Sequence, residues 1–256
     1  MTNSELRQIE DRAVEIALAA GEMTLEYFKR AFSIEQKIDG SFVTAADRAV
    51  ERFLREEIAK DFPDDGILGE EEGETGGKSG RRWIIDPIDG TYSFVHGVPF
   101  YGVLMALESE DRSLIGVINI PALGELVSAS EGNGCRFNGA PTRVSDTAKL
   151  ADALLLATDF GACAKYGFGR AIEDLATQVG QRRTWGDCYG YLLVATGRAE
   201  IMLDPIMNIW DCAALQPVME EAGGTFTDWK GVKTISGGNA IATNGVLYDN
   251  VMKIVS

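Results

Sequence analysis

An apolar run, Trp83-Ile84-Ile85, leads directly into Asp86-Pro87-Ile88-Asp89-Gly90-Thr91, so two aspartates three positions apart follow a strand-like segment. Proline disfavours continued strand pairing at 87, and glycine permits an unusual backbone or a close approach at 90. A turn of this kind points both carboxylates and the Thr91 hydroxyl into one space. Hard oxygen ligands suit Mg²⁺, which takes one or two carboxylates together with waters and substrate phosphate. Two further acidic clusters sit beside apolar runs: Gly69-Glu70-Glu71-Glu72 follows Ile67-Leu68, and Trp210-Asp211-Cys212-Ala213-Ala214 opens a predicted helix. Taken singly, each has an ordinary reading. A glutamate triplet is a solvated face, an aspartate at a helix start is an N-cap, and Asp-Pro-Ile-Asp-Gly is a turn. Their conjunction in one chain is what points to metal-assisted chemistry.

The net charge bears on this directly. The chain has 256 residues with 24 Lys+Arg against 39 Asp+Glu, a formal charge of −15. Nucleic acid and anionic membranes reward a basic face and are disfavoured as partners. A phosphate substrate would be repelled too, unless bound divalent cations neutralise some of the carboxylates. The start, MTNSELRQIEDR, is polar and acidic, and no window reaches the roughly 18 apolar residues of a membrane span, so the cytoplasm is the expected location. The four cysteines, Cys135, Cys163, Cys188 and Cys212, are 28, 25 and 24 residues apart and read as buried free thiols.

The elements that must position these groups follow from periodicity. Leu6, Ile9, Ala13, Ile16, Ala20, Met23 and Tyr27 mark an amphipathic helix, with Lys29-Arg30 expected at its basic end. Residues 32–38 read as a strand and Asp39-Gly40 as its turn. A second helix is expected from Thr44, where Thr44-Ala45-Ala46-Asp47 resembles a capping box and Val50, Phe53, Leu54 and Ile58 give an inward face. It ends before Phe62-Pro63. Short β-rich runs at 83–85, 101–107, 114–120 and 125–129 predict an antiparallel sheet. Beyond 145, apolar strands near 153–157, 200–203 and 240–243 alternate with helices near 168–180, 187–196 and 210–221. The expected organisation is an α+β lobe over 1–145 carrying most of the acidic clusters and an α/β lobe over 146–256 contributing Asp211 and specificity residues. The glycine-rich stretch 73–80 reads as a mobile loop.

Val43-Thr44-Ala45-Ala46-Asp47, Gly69-Glu70-Glu71, Asp86-Pro87-Ile88-Asp89-Gly90-Thr91 and Trp210-Asp211-Cys212-Ala213-Ala214, in that order, resemble the signature of the inositol monophosphatase superfamily. The four motifs span most of the chain. The resemblance implies a layered αβαβα sandwich, a homodimer, and hydrolysis of a small soluble phosphate monoester with two or three Mg²⁺ ions. By motif position it implies Glu70, Asp86, Asp89 and Asp211 as metal ligands, with the Ile88 carbonyl as a further one. It also implies Thr91, paired with Asp47, as the group that orients and helps deprotonate the attacking water. These roles are physically coherent: two metals about 3.5–4 Å apart can share a carboxylate, for which Asp86 is the candidate, and stabilise an in-line displacement. Glu70 as general base must lie within hydrogen-bond reach of the water. The backbone N–H groups of Gly90 and Thr91 are candidates for holding phosphate oxygens.

Substrate choice is a separate question. Where inositol phosphatases read DGTTN, this chain has Asp89-Gly90-Thr91-Tyr92-Ser93-Phe94. The stretch from Trp185 to Pro205 resembles the branch of the family that acts on histidinol phosphate, a step of histidine biosynthesis. That resemblance puts Asp187 and Asp204 at the substrate's non-phosphate end, with Trp185 either beside them or in the core. Carboxylates accept from an ammonium or imidazole, but also from hydroxyls. Inositol phosphate, fructose bisphosphate and a 3′-nucleotide therefore stay open, as does a non-catalytic metal-binding regulator on the same fold. His96, the only histidine, reads as structural. Lys37 is either a solvated lysine or, by the resemblance, a residue near a third metal.

Overall fold

The computed structural model describes residues 1–30, 34–36 and 42–255. The expected turn at Asp39-Gly40, with Phe32 and Lys37, lies outside these residues. Besides a two-stranded pair, Ile34–Gln36 with Phe42–Thr44, two larger sheets organise the described residues. The larger has eight strands drawn from residues 66–142, and the smaller has five drawn from 154–243.

Alternation along the strands makes both faces of each sheet apolar. From the larger sheet, Trp83, Ile85, Val103, Met105, Leu107, Ile115 and Val117 pack against the helices Asn3–Tyr27 and Ala45–Asp61. Their neighbours Ile84, Leu104, Ala106, Ile118 and Val127 face the other way, onto the helices Asp187–Ala195 and Leu215–Glu221. Beyond that helix layer lie Leu156, Met202, Ala240 and Ala242 of the smaller sheet. Its far face, with Leu155, Ile201, Leu203 and Ile241, is covered by Gly169–Ala176 and Tyr248–Val255. The order helix, sheet, helix, sheet, helix is the αβαβα sandwich, and one apolar cluster joins the two sheets.

Four local expectations are corrected. Lys29 and Arg30 lie beyond the first helix, which ends at Tyr27; a left-handed φ of 61° at Lys29 accompanies the exit. The larger sheet is mixed, because Gly66–Gly69 pairs parallel to Arg81–Asp89. The 73–80 stretch is built in: Gly73–Thr75 is an edge strand on Gly66–Gly69, and the N–H groups of Lys78 and Ser79 donate to the Asp64 carbonyl at 2.7 and 3.0 Å. The helix expected near 210–221 is two helices, Ile209–Ala213 and Leu215–Glu221, with Pro217 in the first turn of the second, where its missing N–H is tolerated.

Candidate active site

The strand Arg81–Asp89 does not stop at Pro87. Asp86 stands opposite Leu104 and Asp89 opposite Gly102, so three steps on one strand match two on the other. This bulge is where proline fits a sheet, since it has no N–H for the ladder. It also aims the carboxylates. The Ile88 N–H donates to Asp86 Oδ1 at 3.0 Å, and Thr91 Oγ1 donates to the Ile88 carbonyl at 3.0 Å. Gly90 takes φ +81°, which a side chain would strain, and a Cβ there would also meet Asp187 Oδ2 at 2.9 Å.

Asp89 and Asp211 are each held by a backbone donor. Cys188 N–H reaches Asp89 Oδ2 at 2.6 Å, and Asn208 N–H reaches Asp211 Oδ2 at 2.6 Å. Asp211 is therefore not the N-cap of its helix. Asn208 is, and Asp211 closes the capping box three residues later. One oxygen from each of Asp86, Asp89 and Asp211 lies within 4.8 Å of the others.

The electrostatics of this triad are unfavourable as it stands. Burial pushes Asp86 well above the usual carboxylate range, and the charges of Glu70, Asp89 and Asp211 push it further. Burial does the same for Asp89, with Asp187 and Asp211 adding repulsion. Asp211 is pushed up to about 7, chiefly by burial. Among the described residues, no lysine or arginine forms an ion pair with any of the three. One buried and two half-buried carboxylates with no counter-charge among the described residues, each oriented by a backbone N–H and offering only hard oxygen atoms, fit a divalent cation.

Glu70 follows directly from the strand Gly66–Gly69, whose parallel pairing with Arg81–Asp89 opens both strands at the same end. It lies outside the 4.8 Å triad, yet its charge is felt by both Asp86 and Asp211. Asp47 closes the capping box of its helix, accepting from Thr44 N–H at 2.8 Å and Thr44 Oγ1 at 2.5 Å. Its other oxygen, Oδ1, is buried with no hydrogen-bond partner among the described residues. Burial, with the charge of Glu71, pushes its carboxyl up to about 6. The Thr91 hydroxyl is directed to Ile88, and no hydrogen bond joins it to Asp47 among the described residues.

On the smaller sheet, Asp204 ends the strand Ile201–Asp204 and accepts from Tyr191 Oη at 3.0 Å and Thr158 N–H at 3.2 Å. Burial pushes it up to about 7. Asp187 takes a left-handed φ of 51° and donates its N–H to Thr158 Oγ1 at 2.9 Å. Its carboxyl is pushed up to about 6 by burial, against a lowering contact from Ser93. Trp185 is 39% exposed, so it is not a core residue. A cavity of about 120 Å³ is lined by Asp89, Asp187, Asp204 and Asp211, and an adjoining one contains Tyr92 and Trp185.

His96 is exposed and stacks on Tyr92 at 4.4 Å between ring centroids. The four cysteines are buried and free. Burial and nearby carboxylates push Cys188 and Cys212 well above the ordinary thiol range, which keeps them from acting as thiolates.

Sequence reasoning missed Glu51. Fully buried, it accepts from the N–H groups of Glu71 and Glu72 at 2.7 and 2.9 Å and from Arg55 Nε at 2.9 Å, and so fixes the turn that carries Glu70. A Cβ at Gly69 would strike Glu51 Oε1 at 2.2 Å, which explains the glycine before Glu70. The signal was present: Asp47, Glu51, Leu54 and Ile58 fall on one helical stripe, and a charged residue on an apolar stripe demands a partner. Thr158 and Tyr191, which hold Asp204, carried no such mark.

Residues 5–256 match the model of the inositol monophosphatase family. A histidinol-phosphatase of Chlorobaculum parvum is 45% identical, over 95% of each chain. A histidinol-phosphatase of Mycobacterium tuberculosis is 41% identical, over 95% of this chain and 96% of that one. In structure, the extragenic suppressor protein suhB of Bartonella henselae superposes with a TM-score of 0.91 at 29% identity, covering 97% of this chain and 98% of that one.

Proposed function

Because the chain belongs to the inositol monophosphatase family, and is thus a phosphoric monoester hydrolase, we propose that it hydrolyses histidinol phosphate with two or three Mg²⁺ ions, as a cytoplasmic homodimer. The observation that carries the metal part is the triad of Asp86, Asp89 and Asp211, the first buried and the other two half-buried, without a cationic partner among the described residues. The substrate part is supported by the two histidinol-phosphatase relatives and by the acidic residues Asp187 and Asp204 beside the triad. No helix among the described residues is long and apolar enough to cross a membrane.

In this reading Glu70, Asp86, Asp89, Asp211 and the Ile88 carbonyl hold the cations. When bound, Mg²⁺ supplies positive charge that polarises the phosphoryl group and makes a water easier to deprotonate. The chain's own groups do the rest. Gly90 and Thr91 present backbone N–H groups to phosphate oxygens. The Thr91 hydroxyl, with Asp47 behind it, orients the water, and the Glu70 carboxylate accepts its proton as oxygen attacks phosphorus opposite the leaving alkoxide. Asp187 accepts hydrogen bonds from the ammonium and imidazole groups, with Trp185 beside it and Asp204, held by Thr158 and Tyr191, at the inner side of the same space. Phosphate release from histidinol phosphate should therefore exceed that from inositol 1-phosphate and from adenosine 3′,5′-bisphosphate, and should require Mg²⁺. Equal or greater turnover of either rival would reject the substrate while leaving a phosphatase.

Asp204 also gives a pH signature. Burial raises its carboxyl from 3.8 to about 7 in the folded chain. The folded state therefore holds a proton that the unfolded state releases. Its stabilising contribution is complete below the unfolded value and lost as pH rises through about 7. Metal-free Asp204→Asn should melt above the wild type at about pH 8 and close to it near pH 4, as read by thermal denaturation. Coincident curves at both pH values would contradict this assignment.

A further inference from the structure

Thr158, Asp159 and Asp187 line both cavities, so the two adjoin along these residues. The inner one reaches Asp89 and Asp211. The outer part, about 620 Å³, lies among Tyr92, Val98, Phe100 and Trp185. A molecule anchored by phosphate at the inner end must lead its remaining atoms past Asp187 into this outer space.

Three aromatic side chains, Tyr92, Phe100 and Trp185, line the outer space, and the first two rings are braced. Tyr92 is 68% exposed yet stacks on His96 at 4.4 Å and 28°. Phe100 stacks on Tyr189 at 4.7 Å and 7°. Bracing lowers the entropy lost when a ring meets a ligand. Asp187 stands between the anchor and these rings, lining both cavities, with its N–H donating to Thr158 Oγ1 at 2.9 Å. Its one hydrogen bond from a side chain, Ser93 Oγ, is long at 3.4 Å. The same space also holds Ser93, Thr158, Asp159 and Thr184, so hydrogen bonding alone does not choose a ligand there; what sets it apart is that π faces and a carboxylate meet in one place, which suits a flat basic ring.

We infer that Tyr92 and Trp185 form an aromatic slot that takes a flat, basic ring at the non-phosphate end of the substrate, with Asp187 as its counter-charge. This deepens the proposed function and rests on it. Tyr92 is thereby a specificity-determining residue, adjacent to Thr91 in sequence but serving the opposite end of the substrate.

The test is a selectivity ratio: kcat/KM for histidinol phosphate divided by kcat/KM for O-phosphoethanolamine, which keeps the phosphate and the ammonium but has no ring. Tyr92→Ala should lower this ratio about tenfold, as loss of one stacking partner does. Trp185→Ala should lower it comparably, and Tyr92→Phe, which keeps the π face, should retain it. Thermal midpoints establish that each variant is folded. A ratio in Tyr92→Ala within about twofold of the wild type, or an equal loss in Tyr92→Phe, overturns the slot. A wild type with no preference for histidinol phosphate over inositol 1-phosphate defeats the functional reading instead.

Discussion

Asp86→Asn is expected to lower kcat/KM for histidinol phosphate by about 10³-fold or more, the scale on which removal of an electrostatic element of an active site is felt. Asparagine keeps the size of the side chain and can still accept the Ile88 N–H, a bond of 3.0 Å in the wild type. What it removes is charge. Asp86 is almost wholly buried and crowded by Glu70, Asp89 and Asp211, so its ionised form is costly without a cation. Two effects of opposite sign follow. The metal-free variant should melt above metal-free wild type at neutral pH, because a repulsive group is gone. Added Mg²⁺ should raise the thermal midpoint of the wild type and leave that of the variant nearly unmoved. Near-normal activity together with an intact Mg²⁺ shift would mean that Asp86 holds no metal.

Thr91→Ala should reduce kcat by about 10²- to 10⁴-fold, the range for a group that positions or relays a proton in the transition state, with a much smaller change in KM. The wild-type hydroxyl donates to the Ile88 carbonyl, which leaves its lone pairs to accept from a water. Thr91→Ser retains this oxygen and should recover most of the loss. Near the site, Asp47 keeps one buried oxygen without a hydrogen-bond partner among the described residues, which fits an acceptor with capacity for a further donor. A fully active alanine variant would remove Thr91 from the chemistry.

How much of this was legible depends on what kind of force sets each feature. The helices Asn3–Tyr27 and Ala45–Asp61 were visible because their apolar stripes and the Thr44 box are local. The convergence of Asp86, Asp89 and Asp211 came from motif order, since no local rule brings residue 211 to residue 86. The parallel pairing of Gly66–Gly69 with Arg81–Asp89 escaped because strand direction is decided by tertiary packing. The edge strand Gly73–Thr75 was hidden in its glycine-rich stretch for a related reason. A Cβ at Gly77 would lie 2.2 Å from the Gly66 nitrogen, so glycine there permits close packing, whereas composition alone reads as mobility. Glu51 shares its helical stripe with apolar neighbours, and the groups it holds, the N–H groups of Glu71 and Glu72, lie twenty and twenty-one residues away, beyond the reach of a local pattern.

The central claim is that carboxylates from separate stretches of the chain cage divalent cations. Anomalous diffraction from crystals soaked in Mn²⁺, a hard cation that takes the oxygen ligands of Mg²⁺, tests it most directly. Peaks are predicted among Glu70, Asp86, Asp89 and Asp211, and they should vanish in Asp86→Asn. Peaks confined to the protein surface, or undiminished in that variant, would contradict it.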